Sequence, residues 1–129
     1  MTQSDNRGLV YIVDDDASVR KAIGRLIRTG GFDVVEFSSP EEFLNSPFEK
    51  KPICVLLDIT MPGLTGLQVQ ERLNQRGCDW PIIAVSARED DEARETSRRL
   101  GASLFLRKPV DAKALIDSIS WVTGMSGNR

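Results

Sequence analysis

Short apolar runs alternate with longer amphipathic segments five times along the chain, and this alternation limits the fold more than any other feature. The apolar runs are rich in β-branched residues and predict buried strands over residues 9–13, 33–37, 53–57, 81–85 and 103–106. The amphipathic segments predict helices over residues 17–29, from 39 onwards, 66–76, 88–100 and 111–122. Apolar strands separated by helices indicate an α/β fold whose parallel sheet is covered on both faces. For five strands we expect the doubly wound order 2-1-3-4-5, with five helices.

The length of the chain, 129 residues, suits one domain with its own core. We expect this domain over residues 8–122, a disordered segment over 1–7, and a tail or the start of a linker over 123–129. A polar N-terminus and the lack of any apolar run near about 18 residues predict neither a signal peptide nor a spanning helix.

Several classes of function are disfavoured by composition. The chain contains no histidine, which excludes histidine-based acid–base catalysis and histidine metal ligation. A net charge of −2 gives no sign of binding to membranes or, by this domain, directly to nucleic acid. Cys54 and Cys78 lack metal-type spacing, so we interpret them as free thiols in a reducing, cytoplasmic compartment.

Polar residues stand at the ends of four predicted strands. Asp14 and Asp15 follow the first strand, Asp58 the third, Ser86 the fourth and Lys108 the fifth. In the expected order these strand ends meet at one crevice, where α/β sheets bind ligands. The three carboxylates would lie about one strand spacing apart, roughly 5 Å, and would repel one another. A hard divalent cation, Mg²⁺ or Mn²⁺ in its place, would relieve that repulsion.

Such a set of groups is suited to phosphoryl chemistry. A metal and a lysine neutralise phosphoryl oxygens, a hydroxyl donates a hydrogen bond, and an aspartate can become an aspartyl phosphate. The chain lacks a glycine-rich phosphate loop, so bound ATP is not expected.

Four motifs occur together in one order: VYIVDDD, VLLDITMPGLTG, IIAVSAR and FLRKPVD. With them the chain resembles the receiver domain of bacterial two-component response regulators over about residues 8–122. The resemblance implies phosphoryl transfer to Asp58 from a phosphohistidine on a sensor histidine kinase or phosphotransfer protein. It implies that Asp15, Asp58 and the backbone carbonyl of Thr60 bind Mg²⁺ directly, and that Asp14 acts through a water. It implies a switch that assists its own phosphoryl transfer and dephosphorylation, not an enzyme.

The resemblance also assigns roles to residues of the last strands. Ser86 matches the switch hydroxyl, for which the family more often has threonine, and Lys108 matches the phosphoryl-binding lysine. Phe105 falls on the position of a rotating aromatic, although an aromatic in a short strand is also an ordinary core residue. The resemblance implies a cis bond between Lys108 and Pro109.

The fourth helix has few apolar anchors, which is typical of elements that move. In the family, this helix, the fifth strand and the fifth helix form the output face. Trp121 lies off the buried stripe of the last helix, near Ala114, and so is a candidate contact for a partner or for a homodimer through that face. The alternative is that the helix end frays and Trp121 folds back.

Other interpretations of the acidic run are open. Asp16 is explained by capping of the following helix, without a role in metal binding. The segment 14–18, DDDAS, fits the nucleophile motif of haloacid-dehalogenase-like phosphatases, with Asp14 as nucleophile, although the later acidic pair and a cap domain are missing. A third interpretation is an unphosphorylated, receiver-like interaction module.

Overall fold

The computed structural model describes residues 7–60, 65–87 and 90–126. Five parallel strands form one sheet in the order β2-β1-β3-β4-β5, which confirms the predicted fold. The elements are β1 (Leu9–Val13), α1 (Ala17–Thr29), β2 (Asp33–Phe37), α2 (Pro40–Leu44), β3 (Cys54–Asp58), α3 (Gly66–Gln75), β4 (Ile82–Ser86), α4 (Asp91–Arg99), β5 (Ala102–Arg107) and α5 (Ala112–Ser126). None of the helices within the described ranges has both the length and the apolar content to span a membrane.

The sheet separates two hydrophobic cores. On one face, strand residues such as Ile12 and Leu56 pack against α1 and α5, with Ile27 and Leu115 fully buried. The opposite face holds the second core, which contains a cluster of aromatic rings from Tyr11, Phe37, Phe43, Phe48 and Trp80. Because both faces are covered, the central strands β1, β3 and β4 are apolar at every position before Asp58 and Ser86, the last residues of β3 and β4.

Side chains at the helix starts fix where the helices begin. Asp16 accepts a hydrogen bond from Val19 N at 3.1 Å, which confirms its predicted role as the cap of α1. Asp90 caps α4 in the same way through Ala93 N at 3.1 Å, so α4 begins at Asp91, three residues later than predicted. Arg88 lies outside the described residues.

The last helix is longer than the sequence predicts, and the residue before the predicted domain start is in contact with the domain. α5 does not end at Val122 but continues to Ser126, since Val122 is buried and the Thr123 hydroxyl donates to Ser120 O at 3.0 Å. Residues 127–129 lie outside the described part. At the other end, Arg7 is held in place, because its guanidinium donates to Gly30 O at 3.1 Å and to Ser120 Oγ at 3.3 Å.

β3 and β4 each begin and end one residue later than predicted. Asp58 and Ser86 are therefore the last residues of their strands, and their positions are set by the sheet itself. Because Asp58 and Ser86 lie on strands, their side chains are held more rigidly than they would be on loops.

Candidate functional site

The parallel register brings the predicted polar residues to one edge of the sheet. Val13 pairs with Leu57, so Asp14 and Asp58 occupy the next positions on the adjacent strands β1 and β3. On the other side of β3, Asp58 pairs with Val85, and Ser86 follows directly.

The three acidic residues form a compact carboxylate cluster. Asp14, Asp15 and Asp58 each offer a carboxylate oxygen, and these oxygens all lie within 4.8 Å of one another. Asp14 and Asp58 are buried, whereas Asp15 is exposed. Burial raises the pKa of the Asp14 carboxyl, although hydrogen bonds from Lys108 and from the Asp16 backbone oppose the rise. Hard oxygen donors in this arrangement fit a divalent cation.

Lys108 places its ammonium group between two of these carboxylates. Its Nζ lies 2.9 Å from Asp14 Oδ2 and 3.1 Å from Asp58 Oδ2. Burial alone would lower the pKa of Lys108, but the hydrogen bond to Asp14 and the charges of both aspartates outweigh it and raise the pKa. The side chain is only 16% exposed, so Lys108 is not an ordinary surface lysine.

The residue two positions further along the chain holds the other oxygen of each buried carboxylate. The Thr60 N–H and hydroxyl both donate to Asp58 Oδ1, each at 2.9 Å. The Asp16 N–H donates to Asp14 Oδ1 at 2.9 Å. In both carboxylates, therefore, Oδ1 accepts hydrogen bonds from the residue two positions later, and Oδ2 faces the Lys108 ammonium group. Thr60 follows Ile59, directly beyond β3, and the role of its carbonyl as a ligand stays a prediction.

Arg20 belongs to this site and was not identified from the sequence. Its Nη1 donates to the Asp14 carbonyl at 2.8 Å, and its Nε lies 3.5 Å from Glu36 Oε1. Arg20 is 11% exposed, unlike the other basic residues of α1. Gly24 leaves room for this pair, because a Cβ at that position would lie 2.8 Å from Glu36 Oε2. Nothing in the sequence distinguishes Arg20 from Lys21 beside it.

Ser86 and Phe105 lie on the same side of the sheet. Ser86 is fully buried and accepts a hydrogen bond from Lys108 N at 2.8 Å through its carbonyl. Phe105 pairs with Ala84, two residues before Ser86, and is half-buried on the face opposite the α1–α5 core. The Arg94 guanidinium of α4 lies over its ring, 5.5 Å from the centroid. The Lys108–Pro109 peptide bond is cis.

The exposure of Trp121 predicted from the helical wheel is confirmed. Its side chain is 53% exposed on α5, and Ala114 is exposed on the same helix. Asp117, one turn before Trp121, is paired with Lys113 at 2.8 Å, so the surface around the tryptophan is partly charged.

A five-stranded parallel sheet with a carboxylate cluster, a partly buried lysine and a buried hydroxyl at its switch point defines a phosphoryl-handling α/β domain. Comparison with known proteins then identifies it: the chain belongs to the response regulator receiver domain family, whose sequence model matches residues 10–120. It is 36% identical to the transcriptional regulatory protein TdiR of Thauera aromatica, over 92% of this chain and 52% of that protein. It is 31% identical to the transcriptional regulatory protein FixJ of Azorhizobium caulinodans, over 93% of this chain and 57% of that protein.

Solved structures agree with this assignment. A structure of the response regulator StyR superposes with a TM-score of 0.81 at 35% identity, covering 91% of this chain and 59% of that one. The chain spans about half the length of the curated relatives it matches, 52% of TdiR and 57% of FixJ.

Proposed function

We propose that this receiver domain accepts a phosphoryl group on Asp58 with the help of Mg²⁺. The observation that carries the proposal is the position of Asp58, with the Lys108 ammonium 3.1 Å from one oxygen and the carboxylates of Asp14 and Asp15 within 4.8 Å. These oxygens would hold Mg²⁺ through Asp15, Asp58 and the Thr60 carbonyl, with Asp14 acting through a water. When bound, the cation neutralises charge on phosphoryl oxygens.

The strand order favours Asp58 over Asp14 as the acceptor. β3 lies between the strand that ends at the acids and the strand that ends at Ser86. A phosphoryl group on Asp58 can therefore be met by a cation on one side and by the Ser86 hydroxyl on the other. Asp14 is one strand further from Ser86, which disfavours the phosphatase alternative with Asp14 as nucleophile.

The transfer itself is a displacement at phosphorus. An oxygen of the Asp58 carboxylate attacks the phosphorus of a phosphohistidine on the donor, the P–N bond breaks and a P–O bond forms, with the electron pair leaving on the imidazole. Lys108 then exchanges a carboxylate partner for the phosphoryl oxygens, which carry more charge. We propose that the domain works as a switch that assists its own transfer and dephosphorylation.

We propose that the response reaches the output face through Ser86 and Phe105. The buried Ser86 hydroxyl would move towards the phosphoryl group, and Phe105 would leave Arg94 for the space beside Ser86. The surface made of α4, β5 and α5 would then shift between its conformations. We propose that this shift also changes its tendency to form a homodimer. Because TdiR and FixJ are named transcriptional regulatory proteins, we propose that this surface acts on an output that controls transcription.

An apolar groove beside the site suits the phosphoryl donor. It has a volume of about 450 Å³ and is lined by Val19, Ala22, Ile23, Leu26, Ala87, Lys108, Pro109 and Val110. Lys21 and Arg25, both exposed, flank it on α1. We propose that a sensor histidine kinase or phosphotransfer protein docks here, in the cytoplasm, where the two free cysteines stay reduced.

Intact-mass spectrometry with acetyl phosphate and Mg²⁺ tests the acceptor assignment. We expect the wild type and Asp16→Asn to gain one phosphoryl group, and Asp58→Asn to gain none. The gain should vanish when the cation is removed by a chelator. Uptake by Asp58→Asn at the wild-type rate would show that the assignment is wrong.

A further inference from the structure

α4 is attached to the domain by hydrogen bonds more than by apolar packing. Within α4, all of which the structure describes, Ser97 is the buried side chain, and it is fully buried. A helix that buries a hydroxyl in place of a large apolar side chain gains little from the hydrophobic effect. The position of α4 must therefore depend on what Ser97 contacts.

Ser97 and Gln70 of α3 form a reciprocal pair. The Ser97 hydroxyl donates to Gln70 Oε1 at 2.7 Å, and Gln70 Nε2 donates to Ser97 O at 3.1 Å. Gln70 is 1% exposed, so neither group can use water instead. A turn further along α3, Asn74 Nδ2 donates to Leu100 O at 2.9 Å. We call these four residues the α3–α4 latch.

The geometry of the latch favours two discrete positions of α4 over a continuous range. Hydrogen bonds depend steeply on distance and angle, and a buried polar group that loses its partner is costly. A small displacement of α4 would therefore be opposed, whereas a larger one would break the pair and let both groups find other partners. A ligand that favours one of the two positions can therefore shift α4 towards it.

The same helix that carries the latch contacts the phosphoacceptor strand. Gly66 is the first residue of α3, and a Cβ there would lie 2.5 Å from both Asp58 O and Ile59 Cα. Gly66, Gln70 and Asn74 follow one another at intervals of four residues, so they share one face of α3. One face of α3 thus touches the backbone of Asp58 at its start and α4 further along.

We propose that the α3–α4 latch stabilises the resting position of α4 and that α3 transmits the state of Asp58 to it. This route is separate from Ser86 and Phe105, and it rests on the proposed function of Asp58. By linkage, an interaction that stabilises the resting state opposes the binding of a phosphoryl group or its mimic. Removal of the latch then favours the phosphorylated conformation.

The test uses beryllofluoride with Mg²⁺ as a phosphoryl mimic and compares its Kd between variants. The double variant Gln70→Met with Ser97→Ala removes both partners of the buried pair, so no unpaired polar group is left. The control is Gln75→Met with Thr96→Ala, which removes an amide and a hydroxyl from neighbouring positions of the same helices. We expect the latch variant to bind the mimic about fivefold more tightly or better, within the ordinary range of allosteric coupling, and the control to match the wild type.

Hydrogen exchange of the α4 amides in the absence of the mimic should be faster in the latch variant than in the control. Equal or weaker binding of the mimic by a folded latch variant would overturn the proposal. If the double variant does not fold, Asn74→Ala, which removes one exposed bond of the latch, must still bind the mimic more tightly than wild type. Failure of the wild type itself to bind the mimic would instead overturn the proposed function of Asp58.

Discussion

Lys108 Nζ lies 2.9 Å from Asp14 Oδ2 and 3.1 Å from Asp58 Oδ2, so one ammonium group pairs with carboxylates from two adjacent strands. These two ion pairs connect the C-terminal ends of β1 and β3 to the segment that follows β5. The arrangement also keeps a positive charge in contact with the carboxylate that we propose as the phosphoryl acceptor.

The first prediction concerns the stability of this arrangement. Lys108→Met keeps most of the apolar stem but leaves two buried carboxylates without their counter-charge. We expect a loss of about 2 kcal/mol in the free energy of unfolding without divalent cations, less than for a fully buried pair because Lys108 is partly solvated. Urea titrations with a chelator measure it, and Mg²⁺ should recover part of the loss. An unchanged midpoint would mean that the pairing contributes nothing.

The second prediction concerns the close approach of α3 to β3. In Gly66→Ala the added Cβ would meet Asp58 O and Ile59 Cα at 2.5 Å, and both are backbone atoms that cannot rotate away. We expect a destabilisation of about 2 kcal/mol or more by overpacking, read from thermal or urea unfolding. Gly77→Ala is not a suitable control, since Gly77 has a φ of 77° and is strained by any side chain. Gly124, with open space around its Cβ position, is suitable, and Gly124→Ala should be neutral or slightly stabilising.

The third prediction separates two neighbouring acids. Asp15→Ala removes a carboxylate from the cluster and should weaken Mg²⁺ binding at least about tenfold, that is by about 1.4 kcal/mol. Asp16→Ala removes the cap of α1 and should cost about 1 kcal/mol of stability with little effect on the metal. Calorimetric titration with Mg²⁺ and urea unfolding provide the two values. Equal losses of Mg²⁺ affinity would place Asp16 in the metal site.

The fourth prediction concerns the two thiols and pH. Burial raises the pKa of Cys54 to about 12, and the thiolate is the reactive form. At pH 9 a folded chain should therefore be alkylated by iodoacetamide at the half-buried Cys78 and spared at Cys54. The raised pKa also means that unfolded chains lose the Cys54 proton first, so Cys54 contributes a fall in stability as pH rises above about 8.5. Peptide mass mapping reads the sites, and modification of Cys54 without unfolding would contradict the prediction.

The sequence was sufficient for the strand order and for the carboxylate cluster because both follow from local patterns. Each strand is a short apolar run, and Asp14, Asp58 and Lys108 each stand at a strand end. In a parallel sheet those ends meet at one edge, so placing the strands also places the side chains.

Contacts that depend on packing between distant elements could not be predicted. Arg20 appears in the sequence as one of several basic residues on α1, and its burial against Glu36 depends on the space left by Gly24. Gln70 and Ser97 appear as ordinary polar residues, and their pairing brings together two residues that are 27 positions apart in the chain, on different helices. No periodicity distinguishes such residues from solvated ones.

The most direct measurement of the central claim locates the phosphoryl group in the chain. The protein is phosphorylated with acetyl phosphate and Mg²⁺, the acyl phosphate is reduced with borohydride, and the modified residue is found by peptide mass spectrometry. We predict modification of Asp58 alone. Its carboxylate is part of the acidic cluster, contacts the Lys108 ammonium group, and stands on the strand that pairs with the one ending at Ser86. Modification of Asp14 in place of Asp58 would contradict the account and support an Asp14-based phosphotransfer reaction.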